Sequence, residues 1–119
     1  MVIHSTFSDF VLFLYIHLSN ADSHYDPTEL LVIKAKMTSL YEEDINFEKK
    51  LYQTIREYNA FDKTKLNKLF RDSFMYFKPN KVKSKLLTDL HEIVNADGNV
   101  SPSENKALES LKEIIDLIN

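Results

Sequence analysis

One glycine, Gly98, serves a chain of 119 residues, where average usage of roughly 7% would supply about eight. Sheets of this size turn through tight hairpins built on Gly, Asn or Pro. With three prolines besides, hairpins are disfavoured and helices joined by short connections are expected. Cysteine is absent, which removes disulfides, thiolate metal sites and cysteine nucleophiles together. That absence fits a reducing compartment. Hydrophobic residues are 44% and charged residues 28%, an ordinary globular balance, and the length suits one domain over residues 1–119.

Helical spacing of apolar residues runs through the chain. It predicts a first helix over Ser5 to Asn20, buried on most sides between Phe7 and Leu18, and a second after Pro27 carrying Leu30, Ile33, Met37, Leu40 and Tyr41. A third spans Ile45 to Asn59, with Phe47, Leu51, Ile55 and Tyr58 on one stripe. The fourth starts from Asp62 as N-cap and carries Leu66, Leu69, Phe70, Phe74 and Phe77. After the linker Lys78-Pro79-Asn80 comes a fifth with Val82, Leu86, Leu90, Ile93 and Val94. A sixth follows Pro102, with Ala107, Leu108, Leu111, Ile114, Ile115 and Ile118. Short connections favour antiparallel neighbours. The expected fold is therefore all-α: a single compact bundle of about six helices.

The longest apolar run, Phe10 to Ile16, is far short of the roughly 20 residues that span a bilayer. No Lys or Arg precedes Lys34, so the basic start of a secretory signal is missing. No transmembrane segment is expected, and the localisation read from these features is cytoplasmic.

Ten residues occur twice. Asn20-Ala21-Asp22-Ser23-His24-Tyr25-Asp26-Pro27-Thr28-Glu29 aligns without gaps to Asn95-Ala96-Asp97-Gly98-Asn99-Val100-Ser101-Pro102-Ser103-Glu104, with five identities at an offset of 75. Each copy follows one apolar helix and precedes another, which reads as a duplicated helix–turn–helix and predicts a pseudo-two-fold bundle. Capping explains much of the motif. Ser101 as N-cap, Pro102 at the first helical position and Glu104 at the third form a capping box, and Asp26, Pro27 and Glu29 repeat it. Asp22 and Asp97 lie outside that explanation, because a carboxylate at a helix end opposes the negative pole of the dipole. The spacing from Asp97 to Glu104 matches the second half of an EF-hand loop. The first half fails: the opening ligand position falls on Ile93, and on Leu18 in the other copy.

These residues resemble the TerB-like family associated with tellurite resistance. The residues Leu12 to Ile16 leading into Ala21-Asp22 and Pro27-Thr28-Glu29 match its first motif. Leu87 to Val94 leading into Ala96-Asp97-Gly98-Asn99-Val100 and Pro102-Ser103-Glu104 match the second. The chain departs from the family pattern at Ser23, where the turn favours Gly, and at His24 and Asp26. The resemblance implies an all-α fold and a link to chemical-stress response, with a metal-handling or scaffold role and no established reaction.

Were the bundle to bring the turns together, Asp22, Glu29, Asp97 and Glu104 would offer four carboxylates to one divalent cation. Oxygen ligands favour Ca, Mg or Mn over zinc. The competing reading is two separate, solvated, capped turns. No Gly-rich phosphate loop, metalloprotease histidine pair or serine elbow is present, so the function expected is a non-catalytic module acting through a protein partner. A small metal-dependent hydrolase using the same acids is the enzymatic alternative. The segment Asp62 to Lys85 holds eight basic and two acidic residues against a chain total of −3. It suggests a binder of anionic surfaces or nucleic acid, although a solvated face is the commoner meaning of such a run. Asp89 and Glu92 beside His91 read as ordinary exposed-helix acids, and the four histidines as scattered surface residues. The aromatic set Phe47, Tyr52, Tyr58, Phe61, Phe70, Phe74, Tyr76 and Phe77 reads as core, any exposed member marking a homodimer or partner surface.

Overall fold

Apolar residues on nearly every side of the first helix make it the axis of the molecule. In the computed structural model, which describes residues 2–20, 27–38, 46–78, 83–95 and 102–116, six α-helices and one 3₁₀ turn account for most of those residues, with no strand among them. They are α1 (Phe7–Ser19), α2 (Pro27–Met37), α3 (Phe47–Ala60), α4 (Leu66–Phe77), α5 (Lys83–Val94) and α6 (Pro102–Asp116), with the 3₁₀ turn at Lys63–Lys65. The all-α bundle expected from spacing is present. The Cα radius of gyration, 13.3 Å, is what a compact chain of this length has, about 13.5 Å. Among the described residues, no helix is long and apolar enough to cross a membrane.

Local chemistry sets the helix starts. Thr6 caps α1, its hydroxyl accepting from the Asp9 amide at 3.2 Å. Asn46 caps α3 in the same way through the Lys49 amide. Asp62 does cap, but it caps the 3₁₀ turn, through the Thr64 amide at 3.0 Å and the Thr64 hydroxyl at 2.7 Å; α4 then begins at Leu66. The helix α4 stops where Lys78 turns left-handed at φ 49°, its amide donating to the Phe74 carbonyl at 2.9 Å. Leu40 and Tyr41, Val82 and Ile118, placed on helices by periodicity, lie outside the described residues, as do the proposed caps Asp26 and Ser101.

Phe10 to Ile16, with Leu18, are all buried, and α1 packs against α2, α3, α4, α5 and α6. Its two sides meet different chemistry. Toward α3 and α4 lies an aromatic cluster: Phe10 meets Phe74 edge-on at 5.1 Å between centroids, and Phe13 meets Tyr58 at 5.4 Å and Phe70 at 6.3 Å. Toward α2 and α5 the contact includes a polar knot. Asp89, 8% exposed, accepts from the Tyr15 hydroxyl at 3.4 Å, the Lys36 ammonium at 3.0 Å and the Lys85 ammonium at 2.7 Å. Lys36 also pairs with Glu92.

Two expectations change here. Asp89 is not an exposed-helix acid; it falls on the stripe Leu86, Leu90, Ile93, and burial follows from that register. Tyr52 and Tyr76 are not core, being 58% and 65% exposed, since each sits off the buried stripe of its helix.

Candidate functional site

The turn acids divide into two pairs. Glu29 and Glu104 are buried, at 2% and 3% exposure, each at the third position of a helix that opens on proline. A carboxylate in such surroundings must be met by donors or a cation. Asp22 and Asp97 lie outside the described residues. Among the described residues, no group of three or more His, Asp or Glu side chains stands close enough to hold a metal ion, so the four-carboxylate set is not assembled from the described part alone.

Described residues flanking the two turns do share one feature of the surface. An open cleft of about 500 Å³ is bordered by Asn20, where α1 ends, and by Ser103, in the first turn of α6. The exit of the first helix into one turn and the entry to α6 from the other therefore meet at the same end of the bundle. The remaining wall comes from the end of α3 (Tyr58), the 3₁₀ turn (Lys63), the start of α4 (Leu66, Asn67) and α6 (Lys106, Ala107, Ser110), with His17 from α1.

His17 corrects the view of the histidines as surface residues. Its Nδ1 lies 2.9 Å from the Tyr58 hydroxyl, and its ring centroid is 4.8 Å from that of Phe70. Burial, assisted by the Lys63 charge, pulls its pKa down to about 4, so the imidazole is neutral at pH 7. His4 is buried too, at 8% exposure, with its Nε2 2.9 Å from a Glu57 carboxylate oxygen. Burial lowers its pKa, with Glu57 opposing. Lys63 is fixed over the Tyr58 ring, 4.1 Å from its centroid, and donates to the carbonyls of Tyr58 and of Phe61, the latter at 3.0 Å. Burial lowers its pKa as well.

Of this cleft, the sequence carried one usable sign: a histidine set between the apolar run Phe10 to Ile16 and Leu18. Asp89 carried the same sign, an acid on an apolar stripe. For Asp89, burial pushes the pKa up, but the hydrogen bonds from Lys85 and Lys36 outweigh it and the net shift is downward. Lys36 moves the opposite way, its bonds to Glu92 and Asp89 outweighing burial.

The duplicated turn, the buried glutamates and the all-helical frame meet in one comparison: the family model for tellurite resistance protein TerB matches residues 8–118. The chain belongs to the TerB family. No curated protein and no solved structure matches it significantly. The match takes in both turn motifs and all the described helices but the first residue of α1, so this TerB chain is a helical module over nearly its full length.

Proposed function

We propose that this TerB chain is a single domain over residues 1–119, a non-catalytic, cytoplasmic module of the chemical-stress response. It works by docking onto a protein partner and is tuned by a divalent cation (Ca, Mg or Mn) held between Asp22, Glu29, Asp97 and Glu104. The observation that carries this reading is the matched burial of Glu29 and Glu104, together with the end of α1 and the start of α6 bordering one cleft. Helix packing supports a duplicated origin: α1 on α2 parallels α5 on α6, and α2 on α5 parallels α6 on α1. The exposed Tyr52, Met75 and Tyr76 supply apolar contact area for a partner, a second copy of this chain included.

Calorimetric titration with Ca, Mg and Mn tests the cation. Binding heat and a raised melting temperature are expected at millimolar ion, both lost in the Asp22→Asn/Asp97→Asn double variant. No heat and no shift would leave two separate, solvated, capped turns. Turnover of a generic phosphoester with metal present would instead favour the hydrolase. The anionic-surface alternative loses weight because Lys85, at one end of the basic sector, is engaged by Asp89.

A further inference from the structure

The cleft bordered by Asn20 and Ser103 has a chemical character distinct from that of the chain as a whole. The chain carries 18 acidic residues against 15 basic, yet the described residues that line the cleft include two lysines and no carboxylate. Lys63 is held in place: two of the three ammonium donors go to backbone carbonyls, so little rotamer freedom remains to be lost when an anion meets the third. Lys106 stands on α6 with an exposed side chain. The neutral His17 neither repels a cation nor attracts an anion strongly; it and Tyr58 supply directional hydrogen bonding. The first turns of α4 and α6 both border the space, adding the positive ends of two dipoles.

Size and lining narrow the ligand. A volume of about 500 Å³ lies in the range of pockets for whole small molecules and is far more than a bare oxyanion fills. Both aromatic rings among the described lining residues are already engaged, Tyr58 under the Lys63 ammonium and the His17 imidazole against Phe70 and Tyr58, which disfavours stacking of a planar base. Amides and hydroxyls such as Asn67 and Ser103 are donors and acceptors suited to a polyol.

We propose that this cleft binds a small phosphorylated sugar, its phosphate between Lys63 and Lys106 and its hydroxyls against Asn67, Ser103 and the His17–Tyr58 pair. Neither lysine belongs to the acidic set of the cation reading, so the two stand or fall separately. The test is a ¹H–¹⁵N NMR titration of the intact chain with glucose 6-phosphate, and separately with glucose and with inorganic phosphate. Saturable shifts centred on the Asn67, Ser103 and Lys106 amides are expected with glucose 6-phosphate. Phosphate should bind about tenfold more weakly and glucose not measurably. Lys106→Met, on an exposed side chain that leaves the fold intact, should weaken glucose 6-phosphate about tenfold or more. The assignment is overturned by any of three results: no saturable shifts at about 10 mM sugar phosphate, inorganic phosphate binding as tightly, or unchanged affinity in Lys106→Met.

Discussion

Helices α1 and α5 occupy equivalent places before the two copies of the turn, yet one is the axis of the molecule and the other lies at its side. Shifting numbers by 75 aligns them. The positions Val11, Leu14, Tyr15, Leu18 and Ser19 are buried, and so are their counterparts Leu86, Asp89, Leu90, Ile93 and Val94. That is one helical stripe, at steps of three and four, used twice. The two diverge elsewhere. Phe10, Phe13 and Ile16 are buried, while Lys85, Thr88 and His91 are exposed. The added apolar residues give α1 a second buried face, which α3 and α4 cover. The stripe is common to both helices; the extra face makes α1 the centre.

The largest test of this contrast sets Phe13 against Thr88. Phe13→Ala should lower unfolding free energy by about 3–5 kcal/mol, and Thr88→Ala by less than about 0.5 kcal/mol, measured by urea denaturation. Equal losses would mean that α5 is as central as α1.

Next in size is the polar knot. Lys36 and Asp89 join α2 to α5; the equivalent positions on α6 and α1 are Leu111 and Leu14, both in the apolar core. An ion pair thus stands where the aligned sequence positions hold two leucines. Asp89→Leu alone should cost about 3 kcal/mol, the low end for breaking a buried pair, since both side chains keep 11–12% exposure. Adding Lys36→Leu should recover most of that loss, because paired hydrophobic replacement of a buried ion pair is often neutral or better. A double-mutant cycle with no coupling would show that the pair does not act as a unit. The Asp89 pKa is lowered in the fold. The stability it adds is therefore present above the ordinary carboxylate range and is lost as pH falls through its folded value.

The smallest effect concerns His17, whose counterpart is the exposed Glu92. With a folded pKa of about 4 against 6.5, the unfolded chain binds the extra proton between those values, so stability falls as pH drops. The loss should reach about 2 kcal/mol between pH 7 and pH 5, and His17→Gln should lack it. A wild-type stability that stays flat over that interval would mean that the imidazole protonates in place.

Periodicity and the scarcity of glycine were enough for the all-helical bundle, because six apolar stripes have few ways to be buried except against one another. Gapless repetition of ten residues was likewise enough to single out Glu29 and Glu104 and to place the chain in its family. Tertiary structure alone decided that His17, Tyr58 and Lys63 meet in one cleft with Lys106, since those contacts join residues 41 or more apart on four different elements, except for the local Tyr58–Lys63 pair. It also decided that Asp89 is buried against lysines rather than solvated. A charged side chain on a helix takes its meaning from what packs across from it, and no local pattern specifies that neighbour.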